Sequence, residues 1–125
     1  MRYCIIYGSR RFREPPIIVW SDGEEFHDLD PRLDLHNGQA EFDWGSTSEG
    51  SLQLAVAILS LVLQDDAIVQ IAAGPFTTWV TSQLRRPGWT ISSAHVQDWF
   101  RRWQAGDPRC PLGYPYMPSL MGDET

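Results

Sequence analysis

The sequence predicts an α+β fold: a small antiparallel N-terminal sheet packed on a buried central helix over about 51–64, with further C-terminal helices. Three observations predict it. Short β-rich runs separated by turn residues fill the first 28 positions. The stretch Leu52 to Gln64 is apolar on nearly every side. After Ser92, apolar residues recur at the period of a helix whose one face is buried.

Arg2 to Tyr7 reads as the first strand, rich in tyrosine and isoleucine and stopped by Gly8 and Ser9. Pro15-Pro16 punctuates the polar stretch after it, and Ile17 to Trp20 reads as the second strand. Ser21-Asp22-Gly23 supplies turn chemistry, so Glu24 to His27 reads as a returning third strand. From Asp28 to Trp44, isolated leucines sit among acids and the turn signals Asp30-Pro31 and Asn37-Gly38, which predicts a long loop with at most one irregular strand pair.

Leu52 to Gln64 is the strongest element. Its polar or small positions, Gln53, Ala57, Ser60 and Gln64, fall on one stripe, and the rest is apolar. Such a helix belongs at the centre, with the sheet on one face and other helices around it. Asp65-Asp66 caps or ends it; Ala67 to Ala73 reads as a short second helix broken by Gly74-Pro75, and Phe76 to Leu84 as another. Trp89-Thr90-Ile91 reads as extended. Ser92 is a good N-cap for the last helix, with Ile91 and Val96 placed as a hydrophobic staple. Val96, Trp99, Phe100 and Trp103 form its core stripe. These elements make one domain over 1–104. Residues 105–125, with four prolines, read as a Pro/Gly-rich tail that Tyr114, Tyr116 and Met117 could anchor across the domain.

The chain has 16 acids and 10 bases, and every base is arginine. The acids are not spread evenly. Between Asp22 and Asp43 stand eight carboxylates and one base, Arg32. Arg10, Arg11 and Arg13 cluster just before that segment, and five arginines lie between Arg85 and Arg109. An acidic balance argues against direct nucleic-acid binding. An apolar run shorter than the roughly 20 residues of a bilayer span argues against a membrane role. The absence of an apolar leader and the presence of only two cysteines point to a cytoplasmic protein, in a bacterial host cell if the resemblance below holds.

Candidate sites follow from these patterns. Asp22, Glu24, Glu25, Asp28, Asp30 and Asp34 form a candidate acidic surface, flanked by Trp20 and Trp44 as half-exposed partner-binding anchors. The loop Gly45 to Ser51 leads into a helix N-terminus, where Ser46, Thr47 and Ser48 with Arg10, Arg11 and Arg13 could hold a phosphate. That loop lacks the Gly-Lys-Ser/Thr of a Walker motif, Glu49 would repel the anion, and Ser48 or Ser51 as a plain cap explains it equally well. His27, His36 and His95 have no metal-ligand spacing. His27 with Asp28 and Asp30 is the best acid–base grouping, but no nucleophile accompanies it. No catalytic residue, metal or cofactor is assigned.

Phe42-Asp43-Trp44-Gly45, a Ser/Gly-rich loop, and Gln53-Leu54-Ala55-Val56-Ala57-Ile58-Leu59 together resemble an uncharacterised domain family of bacteria and their phages. Its pattern is roughly F-x-W-G, such a loop, then Q-L-A-L-A-I-L. Phe76, Val80, Leu84 and Gly88-Trp89-Thr90-Ile91-Ser92 continue the likeness, which covers about residues 3 to 103. The chain departs from the pattern at Glu49 and Gly50, near the family's usual Gly-Pro. The resemblance implies a fold and a phage or bacterial setting, not a reaction. The expected function is a small, acidic, non-enzymatic interaction protein, in that setting a phage-encoded inhibitor that sets its acidic surface against a basic, nucleic-acid-binding host defence complex. The alternative is a nucleotide-binding or sequestering protein acting through the Gly45–Ser51 helix start and Arg10, Arg11 and Arg13. A hydrolase built on His27 ranks third.

Overall fold

The computed structural model describes residues 3–10, 15–38 and 41–107. Arg11, Arg13 and the expected tail anchors Tyr114, Tyr116 and Met117 lie outside these residues. Four antiparallel strands, β1 (Ile5–Ser9), β2 (Ile17–Ser21), β3 (Phe26–Asp28) and β4 (Gly88–Ser92), form one sheet in the order β3-β2-β1-β4. Three helices, α1 (Glu49–Leu63), α2 (Asp66–Trp79) and α3 (Ser93–Gln104), complete the α+β fold, with a 3-10 turn at Thr81–Gln83.

Strand alternation decides which side of the sheet is covered. Register places Ile6, Ile18, Trp20, Trp89 and Ile91 on one face, and Ile5, Tyr7, Val19, Phe26 and Thr90 on the other. Ile6, Ile18, Trp89 and Ile91 are buried in a core cluster shared with all three helices. Tyr3, Ile17 and Phe26 stay exposed.

The first strand does not stop at Gly8. It runs to Ser9, because Gly8 faces Trp89 across the β1–β4 ladder and the indole lies against it. A Cβ on Gly8 would meet Trp89 Cε2 at 2.3 Å. The extended Trp89-Thr90-Ile91 is therefore a fourth strand paired with β1. The third strand starts later than the sequence suggests, at Phe26. Asp22 holds the turn open through Glu25 by accepting hydrogen bonds from the Glu24 and Glu25 amides (2.9 and 3.2 Å).

Helix α1 has Ser48 as N-cap and buries eleven of its residues, Gln53 and Ser60 among them. The polar stripe expected from its sequence faces the 29–38 loop. Gln53 donates to the Pro31 carbonyl (2.6 Å) and accepts from the Gly38 amide (3.4 Å). Gln64 ends the helix in the left-handed region (φ 56°), and Asp65 then caps α2 by accepting from the Ile68 amide.

Gly74-Pro75 does not break α2, which runs through both residues. Pro75 leaves the Ile71 carbonyl without its helical donor, but Ile71 and Gly74 lie on the exposed side, where water can serve it. Val69, Ala72, Ala73 and Phe76 on the opposite side are buried and hold the helix against the core. The region read as a further helix from Phe76 to Leu84 is the end of α2 followed by the 3-10 turn.

Helix α3 begins as expected at Ser92, with a histidine where a capping box usually has Glu or Gln. The His95 amide donates to Ser92 Oγ, and the Ser92 amide donates to His95 Nδ1, both at 3.1 Å. Burial pushes the His95 pKa below the ordinary 6.5, against the upward pull of Asp98. Within the core, Phe76 meets Trp99 edge-on at 5.0 Å, and Trp99 stacks on Trp103 at 5.8 Å.

Two predictions follow from these contacts. Gly8→Ala drives a methyl into the Trp89 indole and should lower unfolding free energy by about 1–3 kcal/mol in urea titrations. His95 must be neutral to accept at Nδ1, so the unfolded state binds the extra proton. Stability should be complete above pH 6.5 and fall as the pH drops below it, and His95→Gln should flatten that limb of the profile.

Candidate functional site

The segment read as an acidic surface divides into two parts. The first is the β2–β3 hairpin and the residues after it. Glu24, Glu25, Asp28 and Asp30 are exposed and form no salt bridge among the described residues. Asp22 is half-buried in the turn, with its carboxylate 3.9 Å from His27 Nε2. The second part is internally neutralised. Arg32 holds Asp34 through two contacts (2.9 and 2.8 Å) and reaches Asp66 at the start of α2 (3.2 Å). The Arg32 hydrogen bonds keep the Asp34 carboxyl below its usual range. Asp34 thus holds Arg32, which bridges the loop to α2, and is not a free member of the surface.

The two tryptophan anchors also separate. Trp20 is half-buried and packs tilted against His27 of the neighbouring strand, 4.4 Å between ring centres. Trp44 is fully buried and cannot meet a partner, which corrects the expectation for it. Its indole N–H donates to the Arg85 and Arg86 carbonyls (2.9 and 3.1 Å), its ring packs edge-on against Trp89, and Arg10 lies 4.4 Å over its face. The Phe-Asp-Trp-Gly string is a structural junction. Gly45 holds positive φ (82°), and its amide donates to the Thr81 carbonyl.

The start of α1 carries its own anion. Asp43 accepts from Arg10 (2.6 Å), from Arg86 (3.4 Å) and from the Ser48 hydroxyl (3.2 Å). Burial opposes ionisation of Asp43, but the Trp44 amide, Arg10 and Ser48 outweigh it and hold the carboxyl below its ordinary value of 3.8. Gly50 permits the approach, because a Cβ there would sit 2.3 Å from the Glu41 carbonyl oxygen. Ser48 is a plain cap, accepting from the Ser51 amide, while Ser46 and Thr47 are exposed beside it. A phosphate placed here would compete with Asp43 for Arg10, which weighs against the nucleotide reading.

Of the expected grouping, His27 and Asp30 line one cleft. Asp28 lies on the opposite face of β3, and Asp22 is beyond hydrogen-bond reach. Among the described residues, no group of three His, Cys, Asp or Glu side chains could hold a metal, and no helix is long and apolar enough to cross a membrane.

Sequence reasoning missed Phe26. It is 67% exposed, lies between Glu25 and His27, and its ring reaches Tyr7 on the same sheet face at 5.8 Å. The signal was present: an aromatic in a strand, out of phase with the tryptophan and histidine that pack inward.

Asp43→Asn leaves Arg10 without its carboxylate and should cost about 1–3 kcal/mol of unfolding free energy at neutral pH. Because folding lowers the Asp43 pKa, the contribution is complete above about pH 3.8 and lost on further acidification. The variant's deficit in denaturant titrations should therefore shrink as pH falls below that value.

No curated protein and no solved structure matches the chain. A family of unknown function, DUF6166, matches it over residues 7–102. That span runs from β1 through the Asp43–Trp44 junction and the three helices to Arg102, and the chain belongs to this family of unknown function.

Proposed function

We infer that this protein is a non-catalytic interaction module whose partner is a basic protein surface, of the kind that binds nucleic acid. The observation that carries the reading is Phe26. It is two-thirds exposed on the sheet face opposite the core cluster, with Glu24, Glu25 and Asp28 beside it and none of them in a salt bridge among the described residues. Tyr7, Tyr3 and Ile17 extend the apolar surface along the same face. An aromatic anchor within an acidic border suits a basic partner that offers an apolar contact. The anchor supplies affinity, and the carboxylates supply steering and discrimination. A phage-encoded inhibitor occupying the nucleic-acid groove of a host defence complex is the specific form this reading takes, and it rests on the family resemblance.

Immobilised protein should capture basic nucleic-acid-binding proteins from a bacterial lysate, with capture falling steeply as salt rises through the range where the screening length drops below about 10 Å. Glu24→Lys with Glu25→Lys should slow association, and Phe26→Ser should speed dissociation, both with unchanged circular dichroism. Capture that ignores salt and all three substitutions would sink the reading.

A further inference from the structure

We propose that the cleft between the Trp20–His27 pair and the Ser60 side of α1 binds a small organic cation, a primary amine carried on an apolar body. The cleft encloses about 350 Å³. Trp20 and His27 form one wall from the inner side of the hairpin, and Ser60, Leu61 and Gln64 of α1 form the other. Phe26 does not line the cleft, although Asp28, at the border of the proposed interaction surface, does.

Ser60 points to a ligand. It is 7% exposed, and its hydroxyl has no hydrogen-bond partner among the described residues. A serine inside a helix commonly bonds back to a carbonyl one turn earlier, and this one does not. A buried polar group without a partner calls for one, and the cleft is where a donor could be supplied.

Charge decides the ligand's sign. Asp30 lines the cleft, accepts from the Arg32 amide (2.9 Å) and forms no salt bridge among the described residues. Arg32, the cation beside it, is committed to Asp34 and Asp66. An anion would find the Arg32 guanidinium already held by two carboxylates, whereas a cation meets Asp28 and Asp30, which form no salt bridge among the described residues. A primary ammonium has three N–H donors, and Ser60, Gln64 and Asp30, each carrying an acceptor oxygen, are among the residues lining the cleft. Trp20 and Leu61 supply apolar wall for the rest of the molecule, and the indole favours a cation near its ring.

The test is calorimetric titration of the full chain with phenethylamine, against 2-phenylethanol as its uncharged counterpart, with indole fluorescence as a second readout. The amine should bind saturably and change tryptophan emission, an effect that Trp20→Phe removes. The alcohol should bind at least about tenfold more weakly, and Asp30→Asn should weaken the amine by about tenfold. Ser60→Ala should weaken the amine while leaving the thermal midpoint unchanged or raised, since it deletes a hydroxyl with no internal partner. Three results would overturn the proposal: no saturable binding of the amine at millimolar concentration, equal binding of the alcohol, or a Ser60→Ala protein that melts lower and binds as before.

Discussion

The fold depends on enclosing α1. A helix with Leu54, Ala55, Val56, Ile58, Leu59 and Val62 pointing to several sides has only a narrow polar stripe to spare from burial. Each neighbouring element meets part of that demand. The inner sheet face, α2 and α3 share its core cluster. What they leave open is the stripe of Gln53, Ala57, Ser60 and Gln64, and here the 29–38 loop crosses. Its covering is polar, so it fixes a geometry rather than merely burying area. Gln53 reads two backbone groups of the loop, Gln70 donates to the Leu35 carbonyl, and Arg32 ties the loop to the head of α2. The acidic segment holds its shape because it is the lid of a greasy helix.

This coupling explains why the carboxylates behave differently although they are neighbours in sequence. Asp34, inside the strap, holds the arginine that fastens it. Those in the hairpin turn and just beyond β3 project where nothing needs fastening. Asp43, further on, neutralises the arginine that caps the buried Trp44 ring. One run of negative charge therefore serves as clip, counter-ion and open surface, and only the last is available to another molecule.

Much of the fold was legible from residue periodicity. The apolar wrap of α1 and the Ser92 cap each carry a local signature that tertiary packing does not override. The boundaries that moved did so for long-range reasons. Gly8 stays in its strand because Trp89, eighty-one positions away, covers it. Gly74-Pro75 stays helical because the buried side of α2 outweighs one missing donor. The site was less legible. Trp20 and Trp44 look alike beside acids, and only the fold separates the ring that lines a cleft from the ring that closes the core. Phe26 was hidden by the reverse error, since an aromatic in a strand is ordinarily taken as core.

The order β3-β2-β1-β4 has a kinetic side. The first three strands are joined by short connections and can pair as soon as they exist. The fourth pairs with β1 only after α1 and α2 have intervened, so the ladder from Ser9 to Gly88 closes a loop spanning most of the chain. Until it closes, β1 presents an open edge, and Gly8 lacks the indole that shields it. A chain emerging from the ribosome carries that unpaired edge through most of its synthesis. The docking of Trp89 onto Gly8 thus completes the sheet and closes the open edge of β1 at the same moment.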